Sequence, residues 1–305
     1  MLAAVAVIGL CTYAVKGEWS KAGPELADAR LGDLALALAT VVLYYLVFVL
    51  GWMRILATWH IRVPYRVALQ AEMASMIAKY VPGGVWTPAA RVAALARLTG
   101  ETATGTVLAS ILLEAILSAI SGVVVFVVSL AWVHDVDAPL APLALFALVC
   151  VLLLHPRVFG PTVTRLLRPF GLVSIEPVRF STMATLLVFY GFTWLVGGLG
   201  LYFLIRSIAA PPSLATIPFL GGTAAIGAIV AVLAVFAPSG LGVREATMYA
   251  LLIAVTSKPA ALGATLLNRL TITAVEIALF LAGIGIWRLG RSRAGPEWDP
   301  DGLQT

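Results

Sequence analysis

The chain has 305 residues, of which 61% are hydrophobic and only 11% are charged. Soluble domains carry about 25% charged residues, so this composition excludes the ordinary globular class. The formal net charge of +5 is too modest to indicate nucleic-acid binding. We therefore expect an all-α, polytopic integral membrane protein, with one transmembrane domain over residues 1–290 and a short polar cytoplasmic tail at 291–305.

Apolar runs that could cross a bilayer follow one another along the chain, and a span takes roughly 20 residues. We interpret them as helices, because an open strand in lipid would leave backbone groups unpaired. The N-terminus, Met1–Val15, is expected to be a short first span. The later runs are Leu34–Trp52, Thr104–Val133, Leu140–His155, Ser181–Ile205, Leu214–Phe236 and Ala260–Trp287.

Basic residues between these runs predict the orientation. A group with almost no acidic counterpart follows the second span and fills the central loop: Arg54, His60, Arg62, Arg66, Arg157, Arg165, Arg168 and Arg179. The positive-inside rule then places the central loop, the C-terminal tail and the N-terminus in the cytoplasm. The expected location is the bacterial cytoplasmic membrane.

Two short apolar segments, Val67–Tyr80 and Val85–Leu98, must carry the chain away from the cytoplasmic side and back again. Each reaches about 21 Å as a helix, which is short of a ~30 Å hydrocarbon core. The residues Pro82-Gly83-Gly84 interrupt them. The pattern predicts a re-entrant helical hairpin that enters from the cytoplasm.

The second half of the chain repeats this pattern from the opposite face. Residues 214–256 must also turn back, and their break is Pro238-Ser239-Gly240-Leu241-Gly242. We therefore predict two inverted-topology repeats, at about residues 34–133 and 181–288, each with one re-entrant hairpin. In transporters built this way, the interrupted segments mark the substrate site. Ordinary spans with Pro/Gly kinks are the alternative, but they would leave the charge asymmetry unexplained.

The two halves also repeat their chemistry. Arg91 follows the first break and Arg244 the second, and the next spans carry Glu114 and Glu276. A helix that begins after a break presents free N–H groups and partial positive charge, which suit a phosphate or carboxylate. A nearby arginine adds a full charge and a bidentate donor. Two breaks that meet near the bilayer midplane would form one anion site.

A charge at the bilayer centre costs at least ~2.5–3.5 kcal/mol, so it normally faces a partner or a cavity. The candidate substrate-binding residues combine such charges with the two breaks: Lys79, Tyr80, Pro82, Gly83, Gly84, Arg91, Glu114, Pro238, Ser239, Gly240, Gly242, Arg244, Glu245, Arg269 and Glu276. The alternative is that the charges pair with one another and lock helix packing. Glu245 would neutralise a basic neighbour such as Arg244, or carry a coupling proton.

Motifs of catalysis and of metal or cofactor binding are nearly absent. The histidines His60, His134 and His155 lie in different connections, without metal-ligand spacing. The sequence has no Walker motif, no Gly-x-Ser-x-Gly and no paired-Asp motif of the kind that holds Mg²⁺ for lipid phosphotransfer. We expect a transporter without a cofactor or metal, rather than an enzyme.

Both breaks resemble those of a known family. The stretch Lys79-Tyr80-Val81-Pro82-Gly83-Gly84, with Arg91 after it, resembles the first signature of the lysylphosphatidylglycerol synthase transmembrane (flippase-like) family. Residues 237–245 resemble its second signature, which is the more specific of the two. The resemblance covers nearly the whole chain, and it implies a membrane domain that moves charged lipids between leaflets.

The resemblance also bears on the cargo. Fused bacterial members carry a soluble aminoacyl-transferase domain, whereas only the short polar stretch Arg288–Thr305 follows Trp287 here. We therefore expect no synthesis of aminoacylated lipid. Related stand-alone members are linked with glycosylation pathways, which makes a polyprenyl-phosphate-linked sugar at least as plausible a cargo.

These observations predict a lipid translocase for an anionic or charged-head-group lipid, such as a polyprenyl-phosphate-linked sugar or a modified phospholipid. Two alternatives stay open. One is an integral-membrane transferase that acts on a lipid-linked substrate, and the other is a non-transporting partner of a glycosyltransferase. A lipid-modifying enzyme as partner and a homo-oligomer are both compatible with the pattern.

Overall fold

The computed structural model describes residues 29–81, 85–133, 136, 140–234, 240 and 242–293. This part of the chain is all-helical, without a strand. The predicted first span, Met1–Val15, lies outside the described residues. So do Pro82, Gly83 and Gly84 of the first break and Pro238 and Ser239 of the second.

Ten α-helices can be numbered along the described residues. They are α1 (Leu31–Thr58), α2 (Tyr65–Ala78), α3 (Trp86–Thr99), α4 (Thr104–Ser129), α5 (Leu140–Leu154), α6 (Pro156–Leu167), α7 (Phe180–Ile208), α8 (Ile217–Leu233), α9 (Val243–Leu252) and α10 (Lys258–Arg293). Short 3₁₀ turns lie at Arg168–Phe170 and Leu214–Thr216.

Five helical stretches are long and apolar enough to cross a membrane. They are Leu31–Thr58, Thr104–Ser129, Phe180–Ile208, Leu214–Leu233 and Lys258–Ile284. Each coincides with a run that the sequence predicts as apolar, and together they make the chain a multi-pass membrane protein.

The remaining predicted run, Leu140–His155, has a different outcome. It forms α5, of 15 residues, and the chain then bends by 83° into α6. A proline disfavours helical geometry in the residue before it, and His155, which precedes Pro156, is extended, with ψ of 129°. The His155 side chain caps the new helix by accepting from the Arg157 amide at 3.3 Å. Part of the segment that the sequence assigns to the central loop is therefore a helix.

Helices α2 and α3 form a short pair. Each has 14 residues, and α3 ends at Gly100, which lies in the left-handed region at φ 73°. The two helices pack against each other, and α2 also packs against α10 while α3 packs against α4. The Gln70 amide near the start of α2 donates to the Gly283 carbonyl of α10 at 3.2 Å. Lys79, just past the end of α2, contacts Glu276 of α10. Helix α2 therefore runs antiparallel to α10.

Helices α8 and α9 form the corresponding pair in the second half, with 17 and 10 residues. Gly227 of α8 lets α9 approach, because a Cβ there would lie 2.8 Å from Cγ of Met248. The chain between the helices includes Gly240 and Gly242, at φ of 66° and 80°. Only glycine adopts these angles readily, which explains two of the glycines in the second break.

Helices α1 and α7 run antiparallel through the centre of the bundle. At one end Arg206 Nε of α7 donates to Asp33 Oδ1 of α1 at 2.8 Å. At the other end Trp59 Nε1 donates to the Glu176 carbonyl at 3.0 Å. Helix α8 packs closely on α7, since a Cβ at Gly198 would lie 2.9 Å from Cα of Gly221. Small residues permit this approach, as expected for packing between membrane helices.

Candidate functional site

A layer of polar side chains crosses the bundle at the middle of its long helices. Tyr45 lies at the middle of α1, Glu114 lies near the middle of α4, and Glu276 lies at the middle of α10. The end of α2 and the start of α9 reach the same layer, because Lys79 and Glu245 both contact side chains of α10. The layer therefore gathers charges from both halves of the chain.

One part of this layer is an ion cluster centred on Arg91, which we call the Arg91 triad. The Arg91 guanidinium contacts the carboxylates of Glu72 on α2 and Glu114 on α4. All three residues are almost completely buried, with Arg91 only 3% exposed. The guanidinium also lies over the Trp52 ring, 3.8 Å from its centroid, and Tyr190 donates to Glu114 Oε1 at 3.2 Å. Arg91 is therefore paired with two carboxylates, although its Nε is buried without an acceptor, and it joins α2, α3 and α4.

A second part is centred on Glu276, whose side chain is fully buried. Its carboxylate accepts hydrogen bonds from the Tyr45 hydroxyl and from Lys79 Nζ. Tyr80 donates to the other carboxylate oxygen at 3.1 Å and is also bonded to Thr273 at 2.9 Å. The side chain of Lys79 is 22% exposed. Glu276 thus connects α1, the end of α2 and α10.

A third part joins α9 to α10 through Glu245. Arg269 Nη1 donates to Glu245 Oε1 at 2.6 Å. The Gly242 amide donates to Glu245 Oε2 at 2.7 Å, so the same carboxylate caps the start of α9. In the sequence, Arg244 is an example of a basic neighbour that Glu245 would neutralise. In the structure the partner of Glu245 is Arg269.

Arg244 differs from the other charged residues of the layer. Within the described part of the chain its guanidinium makes no hydrogen bond and no ion pair, and its Nε is buried without an acceptor. The residue is half-buried at the second position of α9. Arg244 is therefore a partly buried cation without a counter-ion among these residues.

The structure also shows site residues that the sequence reasoning did not select. Tyr45, Tyr190 and Trp52 lie in long apolar runs, where aromatic side chains are normally core residues. A tyrosine at the middle of a span is nevertheless a usable indication, because membrane tyrosines are enriched at the two interfaces. A buried tyrosine hydroxyl also needs a polar partner, which is Glu276 for Tyr45.

A metal site has no support in the described residues, since they contain no group of three or more His, Cys, Asp or Glu side chains that could hold an ion. Lys79, Tyr80, Arg91, Glu114, Arg244, Glu245, Arg269 and Glu276 all lie in the polar layer or at its edge, as do Gly240 and Gly242 near the start of α9. The candidate residues of the two breaks that lie outside the described residues are Pro82, Gly83, Gly84, Pro238 and Ser239.

Comparison with protein families matches the chain to the family described as the lysylphosphatidylglycerol synthase TM region. It covers residues 1–279, and so includes α1 to α9 and the part of α10 that contributes to the polar layer. A search of curated proteins finds no match.

Proposed function

The chain belongs to the lysylphosphatidylglycerol synthase transmembrane family, and from this premise we propose that it is a lipid translocase. In this proposal it moves a lipid with an anionic head group across the bacterial cytoplasmic membrane. The head group crosses through the polar layer, while the acyl or prenyl tail stays in the surrounding lipid. The chain itself performs no chemistry on the lipid.

We further propose that α2–α3 and α8–α9 are re-entrant hairpins of two inverted repeats. Helix lengths support this for α2, α3 and α9, because 14 residues reach about 21 Å and 10 residues about 15 Å. Helix α8 is longer, and with the turn before it could cross the membrane by itself. The contacts at mid-depth support it too, since the inner end of α2 meets the middle of α10 and the start of α9 meets α10 at Arg269. Two hairpins that enter from opposite faces would bring Lys79 and Arg244 to one site.

The observation that carries the proposed function is the guanidinium of Arg244, which has no ion pair or hydrogen bond within the described residues. A charge without a partner in a low-dielectric environment is costly, so a ligand that supplies the counter-charge is favoured there. A phosphate group offers negative charge and several acceptors to a guanidinium, including one for the buried Nε. The N–H groups at the start of α9 contribute less to anion binding, because Glu245 already caps this helix.

The exposed arginines of the central segment support the proposed orientation. Arg157, Arg165 and Arg168 on and beside α6 are all exposed. The positive-inside rule places this segment in the cytoplasm. A cytoplasmic α6 would present a basic surface to the anionic head groups of that leaflet.

Replacing Arg244 tests the proposal. We expect liposomes containing the purified protein to move fluorescently labelled phosphatidylglycerol between leaflets, measured by chemical quenching of the outer-leaflet label. Arg244→Gln should slow this movement by at least about tenfold, because it removes the charge-assisted contact to the phosphate. Arg97→Gln is the matched control, since Arg97 is an exposed arginine in the last turn of α3.

Translocation at the wild-type rate by a folded Arg244→Gln protein would contradict the proposal. A non-transporting partner of a glycosyltransferase, the second alternative, would tolerate loss of the Arg244 charge. Formation of a modified lipid by the purified protein would instead favour the transferase alternative.

A further inference from the structure

The charged residues around Arg244 form a set whose formal charge can be counted. Lys79 contacts Glu276, Arg269 lies two turns before Glu276 on α10 and pairs with Glu245, and Arg244 precedes Glu245 in α9. We call these five residues the Arg244 cluster. Three cations and two carboxylates leave it with a formal charge of +1. Residues 82–84, 235–239 and 241, which complete the two breaks in the sequence, contain no ionisable side chain.

The Arg91 triad is a second group of charges, with the opposite sign. Its one arginine and two carboxylates leave a formal charge of −1, and they are enclosed between α2, α3, α4, Trp52 and Tyr190. The side chains of the triad are at most 5% exposed. Those of Lys79, Arg269 and Glu245 are 22%, 19% and 15% exposed, and Arg244 is half-buried. The Arg244 cluster is therefore partly exposed, apart from the buried Glu276, whereas the triad is enclosed.

Glu276 allows Lys79 to act as a second ligand to an incoming anion. Besides Lys79, its carboxylate accepts from the hydroxyls of Tyr45 and Tyr80, one on each oxygen. If Lys79 turns towards a phosphate near Arg244, Glu276 therefore keeps a hydrogen bond to each oxygen. Arg244 and Lys79 can then both contact the same ligand.

We infer that the Arg244 cluster selects a lipid whose head group carries a single negative charge, a phosphodiester, over diphosphate-linked, zwitterionic and cationic lipids. This inference rests on the proposed function and names its substrate class. One negative charge neutralises the cluster. A diphosphate would leave excess negative charge in a site of low dielectric, and a head group with an ammonium would bring a cation next to three others. Complementary charge favours specificity in this way.

Variants that raise or lower the formal charge of the cluster test the inference. Glu245→Gln raises the formal charge to +2, and Arg269→Gln lowers it to 0. Both variants break the same ion pair, and glutamine at 245 retains an oxygen that can cap Gly242. A purely structural effect would therefore be similar in the two variants, whereas the charge count predicts opposite shifts in lipid preference.

The measurement is competition binding by native mass spectrometry, with phosphatidylglycerol, phosphatidylcholine and a prenyl diphosphate as probes. We expect the wild-type protein to prefer phosphatidylglycerol over each of the others by about tenfold or more, as one uncompensated charge at low dielectric implies. Glu245→Gln should shift the preference towards the prenyl diphosphate. Arg269→Gln should shift it towards phosphatidylcholine.

The outcomes separate this inference from the function on which it rests. Equal wild-type binding of all three probes, or the same shift in both variants, overturns the charge selection even where Arg244→Gln still abolishes translocation. Normal translocation by Arg244→Gln overturns the proposed function itself. Opposite shifts in the two variants support the selection.

Discussion

Arg91 and Arg244 follow matching breaks in the sequence, yet the structure gives them opposite surroundings. Two carboxylates enclose Arg91, whereas Arg244 has no counter-ion among the described residues. The residue type and the apolar context were enough to identify both as charges of interest. Their partners could not be predicted, because Glu72 and Glu114 reach Arg91 only through the packing of three helices.

The triad predicts a large loss of stability when its arginine is removed. Arg91→Met would leave Glu72 and Glu114 buried without a cation, which typically costs about 3–5 kcal/mol. The free energy of unfolding, measured by titration with a denaturing detergent, should fall by that order. A triple variant that adds Glu72→Gln and Glu114→Gln should recover much of the loss. Unchanged stability of Arg91→Met would show that the triad does not lock the three helices.

At the level of elements, the short helices were predictable to within about two residues at most of their ends. The segment predicted as Val67–Tyr80 forms Tyr65–Ala78, and Val85–Leu98 forms Trp86–Thr99. Proline and glycine mark these ends chemically, which is why the sequence is informative there. Helix α6 was missed because its arginines resembled a loop. Its buried face, Phe159, Val163 and Leu167 at four-residue spacing, becomes evident only against α4 and the 3₁₀ turn.

The second break makes an element-scale prediction through Gly242. Its φ of 80° is strained for any residue with a Cβ, although a Cβ there would meet nothing within 4 Å. Gly242→Ala should therefore destabilise the protein by roughly 1–2 kcal/mol through backbone strain alone. Gly32→Ala is the matched control, because it too meets open space, but in the first turn of α1 and without a positive φ. Detergent titration of both variants checks the difference, and equal stabilities would contradict the strain.

At the scale of the whole molecule, the sequence predicted which segments are helical and apolar, but not which of them become neighbours. The pairing of α1 with α7 joins the two halves through Arg206 and Asp33, which are 173 positions apart. No local pattern reports a contact over that distance. The proposed inverted topology rests instead on charge distribution and segment length, which are properties that a sequence displays directly.

Accessibility of engineered cysteines tests that topology. In a chain whose Cys11 and Cys150 are replaced, exposed positions before and after each short pair are changed to cysteine: His60, Thr102, Ala210 and Ser257. We expect His60→Cys and Thr102→Cys to react with an impermeant thiol reagent only from the cytoplasmic side. Ala210→Cys and Ser257→Cys should react only from the outside. Labelling of the two members of a pair from opposite sides would show that this pair crosses the membrane.

The carboxylate of Glu245 performs two tasks, since one oxygen accepts from the first turn of α9 and the other from Arg269 on α10. The winding of that turn and the docking of α9 are therefore linked through a single group. If α9 moves away from α10 during a transport cycle, Glu245 either leaves the turn, which then frays, or drags the turn along intact. Amide hydrogen exchange at the start of α9 would thus report the separation of two helices. A lipid that draws Arg269 away from Glu245 would change the exchange rate of these amides.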